Sequence, residues 1–368
     1  PDPTLLLTIP SIHDDTILDC RLFHPKSQAA STRRVIKAAI IAHPYAPLGG
    51  CYDDPVVGIV GKELLNEGYI VCTFNFRGAT GSKGRTSWTG RPERQDYISV
   101  VGFMIHYLSH LKDSESEEQS ERIGTQAKPP IHLVFGGYSY GSFICTHLPE
   151  IHDIFKTFTT TEEGTCASEI KTRAKSLAGQ RNEQVHVLGA ERASRGRVVV
   201  GGEETSPDKR RKSLERHSID VRRSLDIPRL LSQHRRKSQE NRPVTPPLPL
   251  PVVEEEDIPI VNAAYLLISP LLPPISFFTA LPFGGGALKS DGNDGHLEKL
   301  SKYPTLAVYG NDDFFTSVKK LRQWSGLLCE KVDSKFRNEE VEAAGHFWHN
   351  RTAQGELRRV VKDWSRGL

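Results

Sequence analysis

A serine hydroxyl attacks a carbonyl only when the backbone lifts it out of a turn and a base removes its proton. Gly137-Tyr138-Ser139-Tyr140-Gly141 has the residue types for the first requirement. The apolar run Ile131 to Phe135 before it reads as a short buried strand, and Ser142 to Leu148 after it as a helix. A sharp strand-to-helix turn tolerates only small residues two positions either side of the serine, which Gly137 and Gly141 supply. The motif alone also fits an ordinary Gly-rich turn. The strand and helix around it favour a nucleophile at Ser139.

The base must be a histidine, and there are fourteen of them. Chain order narrows the choice, because a serine on such a turn is followed by its acid and then by its histidine. His346, in Ala343-Ala344-Gly345-His346-Phe347-Trp348, follows the last expected strand and precedes the last helix. The bland alternative is a loop histidine packed on Phe347 and Trp348. His349 is the spare candidate, read as a surface residue. The acid is expected after the next-to-last strand, in Val308-Tyr309-Gly310-Asn311-Asp312-Asp313-Phe314. Its work is to hold one imidazole tautomer and stabilise the cation. Asp313 is the choice, and Asp312 is the close alternative or a helix cap. Two backbone N–H groups must meet the developing oxyanion. Tyr140 would give one, and Tyr45, in His43-Pro44-Tyr45-Ala46-Pro47-Leu48-Gly49-Gly50, the other. A Pro/Gly turn without a ligand role is the alternative for that loop.

The positioning elements alternate. Leu5 to Ile9 and Ile17 to His24 read as strands around Asp14-Asp15, and Val35 to Ala42 as a strand buried on both faces. Val56 to Asn66 has a helical pattern stopped by Gly68, followed by the strand Tyr69 to Asn75. Arg91 to Leu111 is helical, and Lys112 to Lys128 a polar, acidic surface loop. Ala263 to Ser269, Thr305 to Gly310 and Glu340 to Ala343 are the remaining strands, and Thr352 to Trp364 closes the chain as an amphipathic helix. Alternation of this kind implies an α/β fold with a mostly parallel sheet and crossover helices.

The pattern breaks from about Asp153 to Pro259. Thr205 to Arg242 holds twelve Lys or Arg against five Asp or Glu, a net of +7 in a chain of net +3. Pro243 to Pro251 is proline-rich. Such a composition cannot bury enough apolar surface to offset chain entropy. The expected organisation is therefore 1–152 and 260–368 as two parts of one domain, with 153–259 a disordered or weakly ordered basic insertion, not a second domain, parts of which can form short helices. Arg210-Arg211-Lys212-Ser213, Arg222-Arg223-Ser224 and Arg235-Arg236-Lys237-Ser238 resemble sites for basophilic kinases, against the plainer reading of a solvated linker. Without aromatic interleaving, nucleic acid is not expected as a partner.

The turn around Ser139, the His43-Pro44 loop with Gly49-Gly50, Asn75-Phe76-Arg77-Gly78 and Gly345-His346-Phe347 together resemble the α/β-hydrolases. More narrowly, they resemble the small esterase-like or dienelactone-hydrolase-like members. The resemblance covers roughly Leu5 to Leu148 and Ala263 to the end. It implies an α/β-hydrolase fold and two-step acyl transfer on an ester or thioester, with no metal or organic cofactor. A serine stands where true dienelactone hydrolases carry a cysteine, which argues against that reaction. The insertion also separates the helix after Ser139 from the next strand far beyond the usual loop.

Supporting features are expected around this centre. Arg77 and Asp96 would pair and hold the loop after Asn75, a structural role. Phe277, Phe278, Leu281 and Phe283 would form an apolar lid or else core, with Trp88 lining the same cleft. Six scattered cysteines, none in a C-x-x-C pair, read as reduced thiols. No apolar run is long enough to span a bilayer, and no signal-peptide pattern opens the chain. Both suit a cytoplasmic location, and because the chain opens at Pro1 rather than Met a removed leader is compatible with the sequence. A non-catalytic hydrolase-like scaffold with a phosphorylated insert and a small-peptide serine peptidase are the rival functions.

Overall fold

The structure, a computed structural model, describes residues 2–25, 35–112, 129–159, 162–196, 260–272 and 295–368. The expectations for Phe277, Phe278, Leu281 and Phe283, and for Ser213, Ser224 and Ser238, lie outside the described residues. The chain divides into two units, Pro1–Leu188 with Glu256–Leu368, and Gly189–Glu255.

Among the described residues, eight strands form one sheet in the first unit. They are β1 (Leu5–Pro10), β2 (Ile17–Phe23), β3 (Ile36–Ala42), β4 (Ile70–Phe74), β5 (Ile131–Tyr138), β6 (Val261–Ile268), β7 (Thr305–Gly310) and β8 (Phe336–Val341). Their order is β1-β2-β4-β3-β5-β6-β7-β8. β2 runs antiparallel to both β1 and β4, and β3 to β8 are parallel to one another. The helices are α1 (Pro55–Asn66), α2 (Arg91–Ser109), α3 (Tyr140–Thr146), α4 (Ile151–Thr159), α5 (Cys166–Gly196), α6 (Gly295–Lys302), α7 (Val318–Cys329) and α8 (Arg351–Arg366). This is the α/β-hydrolase topology, in which a parallel sheet must be covered on both faces.

Strand periodicity explains the two cores. Ala38, Ile40 and Ala42 of β3 face one core with the buried side chains of α2 and α3, while Ala39 and Ile41 face the other with those of α1 and α8. A continuous apolar run such as β3 is what burial on both faces demands. α8 needs only one stripe, and Leu357, Val361 and Trp364 carry it against the second core.

Three expectations need correction. The last strand is Phe336–Val341 rather than Glu340 to Ala343. It lies at the sheet edge, so its sequence FRNEEV is polar enough to hide its register, and Ala343 has φ +53°, outside the strand region. The helix after Ser139 starts at Tyr140, two residues earlier than the pattern indicates. The stretch after Asp153 is also not uniformly unstructured. α4 buries Ile154 and Phe158, and α5 buries Ile170, Ala174 and Ala178 at a spacing of four. A stripe of small alanines gives a weak hydrophobic signal, which is why composition missed it. Asn182 of α5 accepts from the Lys112 N–H (3.0 Å) and donates to the His110 carbonyl (2.9 Å), closing the end of α2.

Candidate active site

The parallel strands end on one side of the sheet, and the site is assembled from the segments that follow β3, β5, β7 and β8. Ser139 sits between β5 and α3 at φ +55°, ψ −114°, a conformation that costs a non-glycine residue backbone strain. The turn is tight enough to need its glycines. A Cβ at Gly137 would lie 2.2 Å from the Gly141 carbonyl carbon, and one at Gly141 only 2.5 Å from the Ala42 carbonyl oxygen. The Ser139 N–H donates to the Ile268 carbonyl at 2.9 Å, and the Ser142 hydroxyl donates to the Ser139 carbonyl at 2.7 Å. Strand pairing and helix start thus over-determine the strained residue.

His346 Nε2 lies 2.8 Å from Ser139 Oγ, and its Nδ1 lies 2.7 Å from Asp313 Oδ2. The other Asp313 oxygen accepts the N–H groups of Phe315 (2.8 Å) and Thr316 (3.2 Å). A carboxylate held by two N–H donors points its remaining oxygen at Nδ1, so the imidazole proton sits there. Nε2 is then left to accept a hydrogen bond from the Ser139 hydroxyl. All three residues are buried. Asp312, the alternative acid, is exposed, and its backbone N–H donates to the Ala344 carbonyl at 3.1 Å. Gly310 permits that approach, since a Cβ there would lie 1.8 Å from Ala344 O. His349 is exposed and contacts the Phe347 ring, not Ser139.

The loop carrying His346 is fixed by groups that sequence reasoning passed over. The Tyr138 hydroxyl donates to the His346 carbonyl at 2.8 Å, and the Trp348 indole N–H donates to the Ser269 hydroxyl at 3.0 Å. Trp348 is fully buried, so it anchors this loop as core rather than as a surface platform. Asp54 caps α1 through the Val56 N–H (2.8 Å). Burial raises its carboxyl pKa, and His346 is near enough to oppose that rise electrostatically.

The loop after β3 meets the turn at Ser139. The Tyr45 and Tyr140 rings are edge to face, centroids 5.1 Å apart. His43, fully buried, ties this loop to the end of β4: Nδ1–H donates to the Pro44 carbonyl at 2.5 Å and Nε2 accepts the Phe76 N–H at 2.9 Å. Its pKa is lowered to about 4, chiefly by burial. The His-Pro sequence marked the loop but gave no sign of this bond, which spans 33 residues.

Arg77 and Asp96 pair as expected, at 2.7 and 2.9 Å, with Asp96 also accepting the Arg77 N–H. Arg77 further donates to Asp14 (2.9 and 3.1 Å) and Ser11 (3.1 Å). Burial opposes the guanidinium charge, but the bonds to Asp96 and Asp14 outweigh it and raise its pKa. Trp88 is 54% exposed on the turn before α2. That turn is held by Glu93, fully buried, which accepts from the Ser87 N–H (2.5 Å) and hydroxyl (2.6 Å). Burial pushes the Glu93 carboxyl up despite these bonds. Lys299 of α6 donates to the Thr146 carbonyl at 3.1 Å and to the Leu148 carbonyl, closing the end of α3. Among the described residues, no group of three or more His, Cys, Asp or Glu could hold a metal ion, and no helix is long and apolar enough to cross a membrane.

Among solved structures, the chain is similar to an α/β serine hydrolase homologue from Coxiella burnetii, at 14% identity and a TM-score of 0.45, covering 99% of this chain and 98% of that one. An α/β serine hydrolase without a lid from Xanthomonas campestris matches at 14% and 0.45, covering 100% and 95%. Est1E from Butyrivibrio proteoclasticus, solved with ferulic acid bound, matches at 12% and 0.45, covering 97% of each chain. No protein-family model and no curated protein matches the chain.

Proposed function

We propose that this chain is a serine hydrolase that cleaves a carboxylic ester or thioester through an acyl-enzyme. The observation that carries this reading is the unbroken hydrogen-bonded chain from Ser139 Oγ through both His346 nitrogens to Asp313, starting on a strained strand-to-helix turn. Ser139 attacks the carbonyl carbon as His346 Nε2 takes its proton. Asp313 keeps the proton on Nδ1 and stabilises the imidazolium. The Tyr45 and Tyr140 N–H groups receive the oxyanion, a role supported by the meeting of their two loops. The carbon–oxygen or carbon–sulfur bond then breaks, and the leaving group takes the proton from Nε2. Water, activated by the same histidine, releases the acyl group. These steps use only side chains, backbone N–H groups and water.

Trp88, with Phe277 and Phe278, is proposed to contact the substrate, and the basic insertion to be open to kinases at Ser213, Ser224 and Ser238. Six free cysteines suit a reducing compartment, in keeping with a cytoplasmic location.

The test is labelling by a fluorophosphonate probe, which reacts with an activated serine. Wild type is expected to label and Ser139→Ala to lose the label completely. A well-folded wild type that does not label would instead favour a non-catalytic scaffold.

A further inference from the structure

Three phenylalanines surround His346 on two different loops. Phe314 directly follows Asp313, and Phe347 directly follows His346. They are 33 positions apart in sequence, yet their ring centroids stand 5.8 Å apart. Phe315 completes the cluster, 4.4 Å from Phe314, 5.8 Å from Phe347 and 4.4 Å from the His346 ring. His346 itself stands 5.6 Å from Phe347 and 6.4 Å from Phe314. Phe314 is 71% exposed and Phe347 47% exposed. Single exposed apolar residues are commonplace, but a contiguous aromatic patch costs solubility and marks a binding surface.

The stereochemistry of acyl transfer says which part of a substrate lies there. When the tetrahedral adduct collapses, the departing oxygen or sulfur takes its proton from His346 Nε2. The leaving group must therefore sit on the histidine side of the reacting carbon. The oxyanion faces the Tyr45 and Tyr140 N–H groups, away from it. Phe314 and Phe347 are exposed side chains whose rings pack around His346.

Resting on the serine-hydrolase reading, we infer that Phe314 and Phe347 form a leaving-group subsite, so that the substrate is an ester or thioester with an apolar, preferably aromatic, alcohol or thiol portion. Phe315, half-buried against His346, supports the other two rings. Contacts of this kind act while the leaving group is attached. They accelerate acylation and cannot touch deacylation, because the alcohol has gone by then.

Acetate esters separate these steps, since every acetate yields the same acetyl-Ser139. The experiment compares ethyl, hexyl and 2-phenylethyl acetate with wild type, Phe314→Ala, Phe347→Ala and the double variant. A second series, ethyl acetate against ethyl hexanoate, varies the acyl side alone. The readout is the ratio of kcat/KM within each protein, so the fraction of active enzyme cancels. Wild type is expected to prefer 2-phenylethyl over ethyl acetate by roughly tenfold or more. That ratio falls several-fold in each single variant and approaches one in the double variant, while the acyl-series ratio holds its wild-type value. A flat alcohol series in wild type, an unchanged ratio in the double variant, or an acyl-series ratio that falls in step would overturn the subsite. Each of those results would leave the hydrolase reading standing if the fluorophosphonate still labels Ser139. Absence of both labelling and ester turnover in folded wild type would overturn the hydrolase reading and the subsite with it.

Discussion

His43 gives a prediction whose size can be worked from the structure. In the folded chain its pKa is about 4, lowered by burial, against an ordinary value of 6.5. Between these values the unfolded chain binds a proton that the folded chain refuses. By linkage, stability must fall as pH drops through that window, and is fully retained above it. A tenfold difference in proton affinity is worth about 1.4 kcal/mol. Going from pH 7.5 to pH 5, His43 alone should therefore remove about 2 kcal/mol. His43→Gln removes the titration. An amide can offer both an acceptor to the Phe76 N–H and a donor to the Pro44 carbonyl, but from a different reach. A loss of about 1–3 kcal/mol at pH 7.5 is expected for imperfect pairing of these buried groups. The assay is urea unfolding at both pH values for both proteins. The acid-induced loss should be about 2 kcal/mol smaller in the variant than in wild type. His24, lowered to about 4 by burial and by Arg181, keeps its own share in both proteins. A variant that loses as much stability as wild type on acidification would refute the account of His43 as a neutral buried tie.

Asp313→Asn should lower turnover by roughly four orders of magnitude with little change in KM, because the amide favours the wrong imidazole tautomer; Asp312→Asn should change it little, and steady-state kinetics on one ester separates the two. Arg77→Met leaves the fully buried Asp96 without its guanidinium and should cost about 3–5 kcal/mol, read by urea denaturation. Replacing Arg77 and Asp96 together by Met and Asn should recover much of that loss, and a double variant as unstable as Arg77→Met would argue against a paired charge. Gly141→Ala would bring a methyl group within 2.5 Å of the Ala42 carbonyl oxygen, so loss of fluorophosphonate labelling is expected together with a lower Tm. Wild-type labelling in that variant would mean the turn is looser than its geometry indicates.

The sequence by itself determined the sheet and the two ends of the proposed machinery. Runs such as Ile131 to Phe135 and Thr305 to Gly310 are apolar without a break because helices cover both faces of a parallel sheet, and that requirement is written residue by residue. Gly137 and Gly141 flank Ser139 because the turn admits no side chain, which is also local. Edge strand β8 escaped because an edge needs no continuous apolar run, and α5 escaped because its buried stripe includes two alanines. What only the tertiary structure decided are the choices that depend on distance between segments far apart in the chain. Asp313 rather than Asp312 reaches His346 because the turn after β7 spends one oxygen of Asp313 on two backbone N–H groups and aims the other. The tie from His43 to Phe76, the anchor from Trp348 to Ser269 and the meeting of Phe314 with Phe347 join residues 33 or more positions apart. Each is a through-space contact made when parallel strands of one sheet bring their C-terminal loops to the same side, and neither periodicity nor spacing along the chain encodes it.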